Sequence, residues 1–232
     1  MIYLALRLIG KYGHFKKPET NNNPLTYSLI HKPAIMGLMG AILGINRQEM
    51  KNLFPVFCDG LKVALSLNKP IIKESHGFTT HKAVPGTKYF EKGRVYREVL
   101  RDLDYSLTLA LQDLSLKDRF YSFKDRIKNK QSTYPTYFGV SNCPADITYI
   151  GEGTLSPEQD VSFTTSSVVS SHHQILTDDL DLCIEKIPTF QTNDWYNPRD
   201  RFISVAFPTS CGPIQVSGKH NQKDNGECLW FF

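Results

Sequence analysis

Residues 33–45 read PAIMGLMGAILGI, and this stretch decides the fold. A proline suits the first turn of a helix, where its missing N–H costs nothing. The rest is apolar and uncharged, so a buried helix is predicted over Ala34–Ile45. Gly37, Gly40 and Gly44 fall near one side of it. Each glycine costs a helix about 0.5–1 kcal/mol relative to alanine, which predicts the close approach of a neighbouring backbone. The helix start, Pro33–Ile35, is also expected to offer free N–H groups as an anion site.

Upstream, Ile2, Leu4, Leu6 and Leu8 alternate with Tyr3, Ala5, Arg7 and Ile9, which predicts a strand. A polar, basic loop is expected over Gly10–Lys32. Downstream, Asn46 and Glu49 have the spacing of a cap for a short second helix through Leu53. Leu61–Leu67 alternates like a strand, and Ile71–Lys73 extends the sheet. In the less regular segment Ser75–Arg97, Glu91-Lys92-Gly93 lies between two apolar-aromatic runs and predicts the turn of a projecting hairpin. Tyr105–Leu111 alternates as a strand. Leu116, Phe120, Phe123 and Ile127 recur at helical spacing, with Lys117, Lys124, Arg126 and Lys128 outside. A turn-rich bend, TYPTYFGVSNCPAD, leads to a strand near Ile147–Ile150.

This order over residues 1–150 is compatible with a ferredoxin-like βαββαβ unit carrying an insertion at about 73–97. After Gly151 helical periodicity is absent. Val161–Val169, Leu180–Ile187, Phe202–Phe207, Ile214–Val216 and Cys228–Phe232 read as short strands, so residues 151–232 are expected to form a small all-β region. The predicted class is α+β.

Hydrophobic residues make up 41% and charged residues 22% of the 232, the composition of a folded chain. The longest apolar stretch is too short for a bilayer core of about 30 Å, and no secretory signal is evident, so no membrane association is expected. The five cysteines are scattered and odd in number, which argues against a disulfide framework and for a reducing cytoplasm. No HExxH, paired Cys/His spacing, GxGxxG or GxxxxGK[ST] occurs, so neither metal nor cofactor is expected. Gly37-Leu38-Met39-Gly40 matches a GxxG loop only superficially, because it lies in an apolar helix. Asp102, Asp104 and Asp178-Asp179-Asp181 have no paired base and read as solvated turns.

Charge is more telling. Met1–Thr133 carries 22 Lys and Arg against 11 Asp and Glu, a net +11, whereas Tyr134–Phe232 carries 5 against 12, a net −7. Basic and aromatic residues recur in two distant segments of the first part. Lys16, Lys17, Tyr27, His31 and Lys32 lie between the first strand and the first helix, and Lys82, Lys88, Lys92, Arg94, Tyr96 and Arg97 lie in the hairpin segment. Cations neutralise phosphates while rings stack on unpaired bases, worth roughly 1–3 kcal/mol per base. A groove for single-stranded RNA or DNA is the function these residues favour.

The run Phe15-Lys16-Lys17-Pro18, then Leu25-Thr26-Tyr27-Ser28, then Lys32-Pro33 through Gly44, resembles the opening of the fifth CRISPR-associated (Cas) protein family, in the branch found in subtype I-B interference complexes. Arg97–Asp102 and Tyr134–Cys143 (YPTYFGVSNC) extend the resemblance in the expected order. It implies a ferredoxin-like (RRM-like, RAMP) core with a thumb hairpin. It also implies a non-catalytic subunit of Cascade, the RNA-guided surveillance complex. Such a subunit holds the five-prime handle of the CRISPR RNA, caps the filament of backbone subunits and contacts the large subunit; target DNA is met indirectly, through guide pairing. By position, Met36 and Gly37 join Lys16, Lys17, Tyr27 and Lys32 near the handle, with Tyr137, Gly139 and Ser141 beside the same groove. The acidic second part is expected to turn away from RNA, toward a protein neighbour. One branch of the family cuts precursor RNA without metal, using Tyr, Lys and His. Tyr27 can stand for the tyrosine, but no Lys-His pair accompanies the second core helix, so no nuclease is expected. The alternatives are that endoribonuclease and a pure protein–protein adaptor.

Overall fold

The structure, a computed structural model, describes residues 1–20, 23–83, 85–86, 90–192 and 201–232. In chain order it runs β1 (Ile2–Gly13), α1 (Lys32–Leu43), α2 (Arg47–Gly60), β2 (Leu61–Leu67), β3 (Ile72–Ala83), β4 (Phe90–Leu111), α3 (Lys117–Lys128) and β5 (Asp146–Thr154). Seven further strands follow: β6 (Gln159–Thr165), β7 (Val169–Ser170), β8 (Gln174–Ile175), β9 (Leu182–Pro188), β10 (Phe202–Pro208), β11 (Ile214–Gln222) and β12 (Cys228–Leu229). It is a mixed α/β protein, with antiparallel sheets and few helices. No helix among the described residues is long and apolar enough to cross a membrane.

The main sheet has the order β2-β4-β1-β5, all antiparallel, with β3 added along β4. Alternation sets its faces. Leu4, Leu6 and Leu8 of β1, Val63 and Leu65 of β2, and Leu103, Tyr105, Leu107 and Leu109 of β4 are buried against the helices. Phe120, Phe123 and Ile127 of α3 complete that core. On the opposite face Arg7 grips Asp104 through two hydrogen bonds of 2.9 and 2.7 Å.

Three local readings are corrected by the packing. β1 continues to Gly13, well into the expected loop. The second helix has the predicted Asn46 cap, whose side chain accepts from the Glu49 N–H, but it runs through Pro55 to Gly60 because Met50, Phe54 and Phe57 are buried along it. The glycines of α1 do not meet a neighbouring backbone. Gly40 faces the Met50 side chain, and Gly44, at φ 77°, caps the helix by donating to the Ala41 and Gly40 carbonyls. Gly37 has open space before it.

The hairpin is longer than expected and turns elsewhere. β3 pairs with β4 from Ile72↔Arg101 to Ala83↔Phe90, so Glu91, Lys92 and Gly93 lie inside the ladder and the turn falls between Ala83 and Phe90. On the N-terminal side of Leu100, β4 has no β1 partner and runs with β3 as a two-stranded ribbon. β2 and β3 share one edge of β4 in registers one residue apart, and Asp102, at φ 54°, sits at the step. The step resembles a β-bulge on that edge, while the ladder with β1 keeps one register throughout.

The strands after β5 form a sheet β7-β10-β9 and a sheet β12-β11-β6, with β8 paired to β11. Phe163, Val169, Ala206, Ile214 and Val216 make a small cluster of their own. Val168, Ile187, Val205 and Phe207 join the main core instead. The final residues run beside β2, with Val63 and Phe232 exchanging both main-chain hydrogen bonds, at 2.8 and 2.9 Å. The cysteines are unpaired thiols.

Candidate nucleic-acid interface

Three segments meet at one cleft of about 360 Å³: the loop after β1 (His14, Phe15, Lys16), the start of α1 (His31, Pro33, Ala34, Gly37) and the bend before β5 (Pro135, Tyr137, Gly139, Val140), with the buried Gln191 also in its lining. The bend is anchored by Phe138, which is fully buried and packs edge-on against Phe15 and Tyr105 at 6.1 and 6.2 Å. The Phe138 carbonyl also accepts a hydrogen bond from the His14 N–H at 3.0 Å. Gly139 is obligatory: its φ is +84°, and a Cβ there would collide with the His14 carbonyl oxygen. Gly37 leaves a bare stretch of helix in the cleft wall, so a flat group can reach the α1 backbone.

His14 was not singled out in the sequence. Its Nδ1 lies 2.7 Å from the Glu98 carbonyl, which can only accept, so Nδ1 carries the proton and Nε2 is an acceptor. Burial holds its pKa below the ordinary histidine value, aided by nearby Arg97 and Lys16 and opposed by that hydrogen bond. The sequence signal for it was slight: a polar residue directly after Gly13, where the strand ends. The same bond ties the cleft to the base of the β3–β4 ribbon.

Of the predicted contact residues, Lys16, His31, Gly37, Tyr137 and Gly139 are brought together here. Lys16 and Gly139 are exposed. Ser141 is exposed in the bend's turn but does not line the cleft. The expected free helix N-terminus is capped internally: His31 Nδ1 accepts from the Ala34 N–H at 3.2 Å, and its carbonyl accepts from the Ala34 and Ile35 N–H groups. Tyr27, Lys32 and Met36 are buried, so their side chains do not face the cleft's solvent. Lys32 donates to the main-chain oxygen of Phe232 at 3.1 Å, and burial pulls its pKa down to about 8. Lys17 is turned toward the acidic half, with its Nζ 2.8 Å from Glu185. That contact joins the basic loop to the acidic part within the chain.

On the ribbon, strand alternation places Lys92, Arg94 and Tyr96 on one face, all exposed, opposite His81, Thr79 and Gly77. Arg97 takes the other face, with its guanidinium 5.1 Å from the Phe78 ring centroid. Lys82 holds the register position opposite Glu91. Lys88 lies outside the described residues. No group of three or more His, Cys, Asp and Glu fit to hold a metal occurs among the described residues.

Comparison with known families matches residues 3–201 to the model described as CRISPR-associated protein (Cas_Cas5). A search of curated proteins finds no match. Among solved structures, the chain is similar to one described as a CRISPR RNA-guided surveillance complex, at 13% identity and a TM-score of 0.57, over 93% of this chain and 91% of that one. It is also similar to a CRISPR protein from Archaeoglobus fulgidus, at 10% identity and a TM-score of 0.56, over 99% and 98% of the two chains. Both likenesses concern the fold.

Proposed function

We propose a role that starts from one premise: the chain belongs to the CRISPR-associated Cas5 family, whose model matches residues 3–201. On our reading it is a non-catalytic subunit of a CRISPR effector complex that holds the five-prime handle of the CRISPR RNA. The strand order β2-β4-β1-β5, with α1 and α3 in the crossovers, supports taking its core as ferredoxin-like and the β3–β4 ribbon as the thumb. The likeness to a chain of an RNA-guided surveillance complex supports membership in such an assembly. On the sequence resemblance we read it as of subtype I-B kind, with backbone and large subunits as neighbours and target DNA met through guide pairing.

One observation carries the RNA reading. Residues from three segments far apart in sequence converge on a single cleft, and that cleft is joined through His14 and the Glu98 carbonyl to a ribbon whose Lys92, Arg94 and Tyr96 share a face. A bare helix wall, a tyrosine and an adjoining basic strip suit a splayed single strand: the cleft takes a base, and the cations meet phosphates.

The non-catalytic reading has its own support. Lys17 and His31 both lie near Tyr27, with Nζ 5.2 Å and the imidazole centroid 5.5 Å from its ring centroid, so a Tyr, Lys and His set does assemble. Yet Tyr27 is buried and does not line the cleft, so its hydroxyl is not presented to a ribose hydroxyl. The test is a binding and cleavage assay with handle-containing RNA. Lys16→Glu combined with Arg94→Glu is expected to strip binding and make it less salt-dependent; unchanged affinity and salt slope would overturn the interface. Specific cleavage of precursor repeat RNA, lost in Tyr27→Phe, would overturn the non-catalytic assignment.

A further inference from the structure

The loop between β1 and α1 holds an anion, and that anion is the protein's own. The Ser28 main-chain N–H donates to Glu185 Oε2 at 2.7 Å, and Lys17 Nζ lies 2.8 Å from Oε1. Both carboxylate oxygens are thus engaged, and the Glu185 side chain is only 9% exposed. Lys17 also lies over the Tyr27 ring, with Nζ 5.2 Å from the centroid. The donors come from the basic half of the chain, and the carboxylate comes from β9 in the acidic half. A main-chain N–H paired with a lysine ammonium is a recurrent cradle for phosphate oxygens.

We propose that Ser28 N–H and Lys17 form a phosphate subsite of the nucleic-acid interface, occupied by Glu185 as an internal stand-in that RNA displaces. The proposal rests on the reading of the cleft given above, because Lys17 adjoins Lys16, which lines that cleft. A phosphodiester carries one negative charge and two non-bridging oxygens, so it can take both donors in place of the carboxylate. The Lys17 side chain is 24% exposed and can be reached from solvent. In the exchange Glu185 must turn out from the face of β9 that it shares with Cys183 and Ile187, both packed on the main core; β9 lies at one end of the order β7-β10-β9. The bridge is therefore regulatory as well as structural. It sets a threshold that a weakly charged or wrongly placed strand does not pass, and it couples RNA seating to the C-terminal sheet.

Glu185→Gln tests this, since it keeps the shape and removes the charge. With a short single-stranded RNA carrying the handle, binding at low salt is expected to tighten about tenfold, because the competing charge-assisted pair is lost. The slope of log affinity against log salt is expected to match wild type, because Lys17 meets the same phosphate in both complexes. In a Lys17→Met background, adding Glu185→Gln should leave affinity unchanged, since the gain requires the freed ammonium. Equal affinity for Glu185→Gln and wild type would make Glu185 a structural clamp and overturn the proposal. If Glu185→Gln does not fold, Glu185→Asp, which retracts the carboxylate by one methylene, should show a smaller gain with the fold kept, and no gain there overturns it equally. If the folded wild-type protein binds no RNA, the interface reading itself fails and this proposal falls with it.

Discussion

The loop over residues 14–32 and the ribbon over residues 72–99 look alike in the sequence, both basic and both aromatic, yet the fold uses them differently. In the loop, Phe15, Tyr27, His31 and Lys32 are buried, and Lys17 is neutralised from the acidic half. On the ribbon, Lys92, Arg94 and Tyr96 stay in solvent on one face. Composition reports the presence of cations and rings. Whether they meet a ligand or each other depends on which backbone groups already claim them.

The sharpest way to break this contrast is at the bend that closes the loop's cleft. Gly139→Ala forces a Cβ into the His14 carbonyl at a positive φ. We expect it to cost about 3 kcal/mol or more, read as a large drop in the thermal midpoint; a midpoint within a degree of wild type would mean the bend is free to move. Lys32→Met probes the loop from inside. Burial lowers the Lys32 pKa to about 8, below its unfolded value, so its ammonium is disfavoured in the fold near neutrality. Stability from this group rises as pH climbs from 8 toward the unfolded value and is lost as pH falls through 8. Lys32→Met should therefore raise stability at pH 7 by about 2 kcal/mol, flatten that rise, and leave RNA affinity unchanged. A loss of affinity would return Lys32 to the interface.

On the ribbon the expected effects reverse, with binding changed and stability untouched. Lys92→Glu with Arg94→Glu should weaken handle binding by about tenfold or more and make the salt slope shallower by about 1.4, with the same melting midpoint. Arg97→Gln, on the opposite face, should do less than either. The smallest effect expected is a pH dependence. Burial keeps the His14 and His173 pKa values below ordinary histidine, so the folded state resists their protonation. Stability is full above the unfolded histidine value of about 6.5 and declines as pH falls below it. His14→Gln should flatten part of that decline in a series of melts from about pH 7.5 to 5.

The parts of the fold that were legible carried a period of their own. β2 matches its predicted bounds although both of its faces are covered, Ala64 and Ser66 as well as Val63 and Leu65, and α3 buries Phe120, Phe123 and Ile127 as its spacing required, because the helix faces the core with one side only. The ribbon half of β4 had no such signature. Arg94, Tyr96 and Glu98 alternate with Val95 and Arg97 on a two-stranded element with little core to face, so no hydrophobic period marks it. In the cleft, Lys16, His31, Gly37, Tyr137 and Gly139 could be named from charge, aromaticity and resemblance. His14 and Gln191 could not, since distant segments give them their places; the His14 partner, Glu98, is 84 residues away. The need for Gly139 likewise depends on the carbonyl of a residue in another segment. Burial of Lys32 was hidden for the same reason, because its hydrogen-bond acceptor is Phe232.

The step at Asp102 has a mechanical meaning. β4 is one uninterrupted run of 22 residues, so the ribbon is a lever continuous with the innermost sheet rather than a flap on a loose tether. Its length past the step, about twelve residues at about 3.3 Å each, is roughly 40 Å of arm. Edge pairing slips at that one residue, where Lys11 of β1 makes a 2.7 Å ion pair with Asp102, while β1 stays paired to β4 on both sides of it, from Ala110 to Leu100, so the arm is rooted in the middle of the sheet.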